Sequence, residues 1–318
     1  MTIERVSTNY QAQFLLSQVM QASDTLDQSQ AQVSSGKESQ TYAGLGDKTA
    51  ALESARAAED RANAYQSNTQ IALTQTDMQN TQLTTLSSLA SQLQQAITTA
   101  AGNGDGTSLM ATASNIFDQA SQILNSTDSS GNYIYAGQTS NTKPFTATSL
   151  TSLGGSPPPS VSSLFQNGTQ KSSVIVGDGQ SVQVGVLASD VGTQLMTALQ
   201  DLVQADNPSG SLDGQLSSAQ ITTLTTTVLP DAQTAATGLN AATAQNGEVY
   251  QQLQDTVTTQ QSLSTMYAGF VSNIQDADMG QAVINLNQDQ TALQAALQVT
   301  AKLGQLSLLN YLPAASSS

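Results

Sequence analysis

Between residues 51 and 100 one stripe of the chain repeats without a slip. Ala51, Ala55, Ala58, Ala62, Tyr65, Thr69, Ala72, Thr76, Gln79, Leu83, Leu86, Ala90, Leu93, Ile97 and Ala100 follow one another by four and three residues in alternation. That alternation is the a/d stripe of a helix wound against another helix. A strand repeats every two residues and cannot produce it. The reading is one long helix that needs a helical partner. Its first half is mostly alanine, so the partner approaches closely. Its second half is Leu and Ile and grips more strongly. Gly102-Asn103-Gly104-Asp105-Gly106 closes the run as a turn.

The same rule recurs at both ends. Leu15, Val19, Ala22, Leu26, Ser29 and Val33 predict a helix over 9–34, stopped at Ser34-Ser35-Gly36. Leu109, Ala113, Ile116, Ala120 and Ile123 predict another. After Pro230 the series Val249, Leu253, Thr256, Gln260, Leu263, Tyr267, Phe270, Ile274 continues it. Beyond Asp276-Ala277-Asp278 the stripe changes phase to Leu286, Gln290, Leu293, Leu297. The chain then closes on Leu306, Leu308, Leu309, Leu312 and a polar Ser tail, read as disordered.

The middle reads differently. Tyr133-Ile134-Tyr135 has strand character. Val174-Ile175-Val176, Gly177-Asp178-Gly179 and Val182-Gln183-Val184 read as a β-hairpin with a Gly-rich turn. Residues 132–188 are therefore expected to be a small β-rich domain. Helix returns at 191–205 with Leu195, Leu199 and Leu202 on one face, and Asn207-Pro208-Ser209-Gly210 is a linker. The fold class is mainly α: long N- and C-terminal helices in coiled-coil or bundle packing, with a β-rich insertion.

Composition narrows the function. Only 38% of residues are apolar, with 8 Tyr, 5 Phe and no Trp, so thin helix–helix seams are expected in place of one thick core. The net charge of −15 argues against nucleic acid. Five of the eight basic residues (Arg5, Lys37, Lys48, Arg56, Arg61) fall in the first 61, so the acidic excess lies downstream. Without Cys or His the chain has no disulfide, thiolate, imidazole ligand or His base. No catalytic constellation, cofactor site or metal site is expected. No apolar run of 18 residues is present, so no membrane insertion is expected, and Met1–Arg5 is not a secretory h-region.

Individual polar motifs have plain readings. Asp276 and Asp278, two apart, do not share a helix face and are read as caps at a helix break. Asn103–Gly106 lacks the carboxylates of a calcium loop. The sequons at Asn125 and Asn167 are read as chance.

The seams divide by location. Those within 46–125 and 215–265 build a helical rod inside the monomer. Those in 9–34 and 279–312 are expected to complete themselves between subunits, since an exposed heptad stripe demands a partner. The residues assigned to that intersubunit role are Leu15, Val19, Leu26, Val33, Leu286, Leu293, Leu297, Leu308 and Leu309.

Three stretches carry a family resemblance. Arg5-Val6-Ser7-Thr8-Asn9 with the helix ending Val33-Ser34-Ser35-Gly36-Lys37 resembles the N-terminal segment of the bacterial flagellin family. Ile274-Gln275-Asp276-Ala277-Asp278-Met279, Gln288 to Ala296 and Leu306-Ser307-Leu308-Leu309 are similar to its C-terminal segment. Ser130 to Gly137, followed by Lys143-Pro144-Phe145, resembles the hook-associated branch that joins hook to filament. Gln40 to Asp47 departs from the family's usual run after the Gly-Lys stop.

The resemblance implies three layers: 1–45 with 275–318 as an inner assembly domain, 46–131 with 189–274 as a rod, and 132–188 outermost. It implies a non-enzymatic junction subunit, exported by the flagellar type III route without a cleavable signal. Its implied partners are further copies of itself, the first hook-associated protein, flagellin, and an export chaperone at the C-terminal helix. A filament flagellin is the alternative within the family. An adhesin with its ligand site in 138–188 is the alternative outside it.

Overall fold

The computed structural model describes the backbone of residues 2–206 and 210–309, and the side chains of these other than 2–9, 11, 12 and 303–309. Among the described residues, eight α-helices and one hairpin follow in order. They are α1 (Thr2–Ser35), α2 (Tyr42–Leu45), α3 (Thr49–Asn103), α4 (Leu109–Leu124), β1 (Ser172–Gly177), β2 (Gln180–Val184), α5 (Ala188–Asp206), α6 (Ser218–Thr223), α7 (Leu229–Gln275) and α8 (Met279–Leu309). The fold is mainly α, as read from the periodicity. Residues 207–209 of the 207–210 linker and the Ser tail lie outside the described residues.

Local chemistry accounts for the main breaks. Gly36 takes φ +68° and its N–H returns to Gln32 O at 2.9 Å, so α1 ends in a left-handed residue. Ser217 and Gln220 form a reciprocal capping box at α6. A π-turn at Leu224–Val228 links α6 to α7 immediately before Pro230. A proline ring collides with the carbonyl four residues back in a regular helix, and widening the preceding turn relieves that clash.

The chain divides into two units, at Arg61/Ala62 and at Ser262/Leu263. In the unit 62–262, α3 and α7 run antiparallel. Gln66 Nε2 donates to Gln261 Oε1, Asn246 Nδ2 to Thr76 O at 2.9 Å, and Ser87 Oγ to Asn240 Oδ1 at 2.6 Å, so one index falls as the other rises. Every predicted seam position of α3 from 62 to 100 is buried, apart from the half-buried Tyr65. The polar members bond to backbone: Thr69 and Thr76 return to carbonyls four residues back, and Gln79 Nε2 reaches Ile134 O, while the buried Gln79 Oε1 is left without a partner.

This unit also contains a thicker core than composition suggested. Leu83 to Ala100, α4, α5 and residues 224–239 enclose Tyr135, Phe145 and Phe165. Three of the five phenylalanines meet here: Phe145 stands 6.0 Å from Phe117 and 5.0 Å from Phe165. Gly192 of α5 sits against this cluster, where an added Cβ would lie 2.8 Å from Phe165 Cζ and 2.9 Å from Leu124 Cδ1. Gly192→Ala is therefore expected to lower the thermal midpoint, because overpacking of about 1–3 kcal/mol outweighs the roughly 1 kcal/mol gain in helix propensity. An unchanged or higher midpoint in a calorimetric scan would show that the ring moves aside.

The hairpin is β1–β2, paired Ser172↔Val184 through Ile175↔Ser181, with a register shift between Ile175 and Gly177. It does not stand free. Val176, Val182 and Val184 pack on Ala72 and Leu253, Gln260 Nε2 donates to Val176 O at 2.9 Å, and Tyr65 Oη meets Asp178 Oδ1 at 2.8 Å. Tyr133-Ile134-Tyr135 is not a strand. It forms one bridge, Thr127↔Tyr133, and then turns inward, with Ala188 N bonded to Tyr135 O. The aromatic pair alternates as a strand would, but Tyr135 is fully buried among helices, and no neighbouring strand competes for its backbone.

Asp201 of α5 meets Asp231 near the start of α7. Burial, then the shared hydrogen bond and the repulsion between the two carboxyls, push Asp201 up to about 6. No Lys or Arg lies on α4, α5, α6, α7 or the 62–103 part of α3 to offset the pair. A carboxyl whose folded-state pKa is raised contributes stability that is complete below about pH 4 and is lost as pH rises through about 6. Asp201→Asn is expected to raise the melting midpoint over wild type at pH 7.5, to keep part of that advantage at pH 5 and to lose it by about pH 4. Equal midpoints at both pH values would refute the shared proton.

Candidate assembly surface

In the other unit, α1 and α8 lie side by side. On α1 the predicted stripe holds: Leu15, Val19, Ala22, Leu26 and Val33 are half-buried and Ser29 is buried. On α8 the inward positions are Ala282, Leu286, Asp289, Leu293, Ala296 and Thr300. Leu286 and Leu293 therefore fall on the stripe, while Gln290 and Leu297 fall outside it, and Leu297 is 50% exposed. Ser29 Oγ donates to Asp289 Oδ2 across the pair. The helices that carry Leu308 and Leu309 continue there, but those side chains lie outside the described residues.

Pairing α1 with α8 leaves the stripe only half covered and strands further apolar side chains. Tyr10, Phe14, Leu16 and Met20 on α1 are exposed, as are Met279, Val283, Ile284 and Val299 on α8. Tyr10 is the extreme at 74% exposure. None of these belongs to the residues predicted from the 4/3 stripe. A signal for them was present: Tyr10/Phe14, Leu16/Met20 and Met279/Val283 are i,i+4 pairs of large apolar residues away from the stripe. A two-helix unit with apolar residues on both its inner and outer faces has more apolar surface than one partner helix can cover.

The polar motifs are structural. Asp278 Oδ1 accepts from Gly280 N at 2.9 Å and Gln281 N at 3.2 Å, which caps α8. Asp105 accepts from Thr107 N and Oγ1, which holds it in a turn and lowers its pKa below the usual carboxylate value. Asn125 and Asn167 spend their amides on Phe145 and on Ser189. Among the described residues no three His, Cys, Asp or Glu side chains converge, and no helix is long and apolar enough to cross a membrane.

Residues 229–312, which include α7 and α8, match the bacterial flagellin C-terminal helical region. The flagellin resemblance drawn from Ile274 to Leu309 is thereby borne out. Solved structures extend the likeness of fold beyond residues 229–312. A protein described as flagellar hook-associated, from Vibrio parahaemolyticus, is 12% identical with a TM-score of 0.54. The match covers 72% of this chain and 97% of that one. FlgL of Bacillus cereus is 15% identical with a TM-score of 0.51, over 70% of this chain and 98% of that one. No curated protein matches. The segment 40–47, which departs from the flagellin pattern, forms α2 and a following 3-10 turn, with Leu45 buried.

Proposed function

We propose that this chain is a structural, non-enzymatic subunit of the bacterial flagellum that joins hook to filament. The observation that carries the reading is the flagellin C-terminal region joined to a fold shared, over most of the chain, with a hook-associated protein and FlgL. The exposed apolar residues of α1 and α8 supply a physical means of self-association. The mechanism is mechanical. Residues 1–45 and 275–318 pack with neighbouring copies into an inner layer, 46–131 with 189–274 form the next, and 132–188 lie outermost. Heterologous contacts repeated around an axis generate a ring or tube.

Leu15, Val19, Leu26, Val33, Leu286, Leu293, Leu297, Leu308 and Leu309 act in these contacts together with Phe14, Leu16 and Met20. The site of action is the flagellum outside the cell, reached by type III export with a chaperone on the C-terminal helix. The first hook-associated protein and flagellin are the neighbours.

Deletion of the gene followed by electron microscopy tests the role. Hooks that remain on cells while filaments are shed into the medium are expected. Normal filaments on the deletion strain would remove the junction role, and loss of the bulk filament protein itself would favour a filament flagellin.

A further inference from the structure

We propose that the two helix breaks of the terminal unit form a single locked joint, through which α1 and α8 turn together, and that Arg56 is its lock. One break is the segment from Gly36 to Lys48, between α1 and α3. The other is Asp276–Asp278, between α7 and α8. Each alone would let its terminal helix swivel. They are instead tied to each other. Lys37 and Asp276 form an antiparallel bridge. Glu38 N donates to Gln275 O at 2.7 Å, and Ala277 N donates to Gly36 O at 2.9 Å.

A bridge of one residue pair frays easily, because few bonds hold it. Side chains from a third element reinforce it. Arg56 of α3 donates through Nη1 to Tyr42 Oη at 3.1 Å and through Nη2 to Gln275 Oε1 at 2.6 Å. Tyr42 belongs to the first break and Gln275, itself buried, closes the helix before the second. One planar guanidinium thus holds both breaks at fixed separation, which a lysine's single ammonium does not do in the same geometry. Glu53, one turn before Arg56 on α3, takes up the Tyr42 hydroxyl and raises its pKa. The Lys48–Glu38 ion pair at 3.0 Å braces the first break from the far side, though its exposure makes it weak.

The consequence is mechanical coupling. With α1 packed on α8 and both breaks tied to one arginine, the terminal pair moves on the adjoining ends of α3 and α7 as one lever. This inference rests on the geometry of the terminal unit and not on the flagellar reading.

The chain contains no Cys, so nitroxide labels on introduced cysteines report cleanly in the full-length protein. Asp60, Gln30 and Gln288 are exposed positions on α3, α1 and α8. Double electron–electron resonance on the three label pairs gives three distance distributions. In Arg56→Ala, the 30–60 and 60–288 distributions are expected to broaden together by roughly twofold, with 30–288 unchanged. Tyr42→Phe, which removes one hydroxyl, is expected to broaden the same two by less. Broadening of only one of the two, or of 30–288, would show that the breaks move independently and overturn the joint. No broadening in either variant would remove Arg56 as the lock. If Arg56→Ala loses helix content by circular dichroism, Tyr42→Phe decides by the same criteria.

Discussion

Phe145→Ala is expected to destabilise the unit 62–262 by about 3–5 kcal/mol, the usual range for emptying a buried aromatic site. The ring is fully buried and lies between Phe117 and Phe165. Collapse around the vacancy would lessen the cost, but the backbone is pinned here. Phe145 N donates to Asn125 Oδ1 and its carbonyl accepts from Asn125 Nδ2, both at 3.0 Å. Phe145 also bridges to Phe165 through its backbone. With both flanks held, the walls cannot close and the cavity persists. Denaturant unfolding followed by circular dichroism measures the loss. Ile175→Ala on exposed β1 is the matched control, expected within about 0.5 kcal/mol of wild type. A loss for Phe145→Ala no larger than the control's would mean that the aromatic cluster is not the unit's core.

The second large effect concerns assembly. Phe14 and Met20 are 57% and 60% exposed on α1 and lie off the stripe that meets α8. Changing both to Asp should leave the monomer's helix content intact, since a mid-helix Asp costs only about 0.7 kcal/mol in propensity. A carboxylate buried in a subunit contact is another matter, with a cost of several kcal/mol unless it is paired. At 1.4 kcal/mol per factor of ten, association should fall by at least about 100-fold. Sedimentation velocity on the purified protein at rising concentration, and motility of cells carrying only the variant, read the effect. Leu26→Asp is the contrast: it strikes the α1/α8 stripe and should lower helix content as well. Wild-type association by the Phe14/Met20 variant would exclude the outer face of α1 from the contact.

Much of the helical architecture was written in the spacing of single side chains. The 62–100 stripe became a buried helix face at nearly every position because a 4/3 period has one geometrical solution, and the polar members Thr69, Thr76 and Gln79 bond to backbone carbonyls where they stand. The Gly177–Gly179 hairpin was legible for the same reason: glycines where a tight turn needs them and alternating valines on either side. The assembly surface was legible in half. A stripe search finds the face a helix turns to its neighbour, so it found Leu15 to Val33. It passes over Tyr10, Phe14, Leu16 and Met20, because residues that serve a second face break no rule on the first.

By itself, then, the sequence determined that this chain is built of long paired helices around a hairpin-bearing insertion, and that its ends resemble flagellin. Those properties depend on neighbours along the chain, whose spacing is fixed covalently. Only the tertiary structure decided that Phe117, Phe145 and Phe165 meet, that Tyr133 to Tyr135 turns into a helical core, that α8 faces α1 through Asp289 and Ala296 in place of Gln290 and Leu297, and that Arg56 spans two breaks. These contacts join residues up to 260 positions apart. Local periodicity says which face is apolar, and the partner and its phase are set by packing, where a shift of one residue costs little in the pattern and moves every contact.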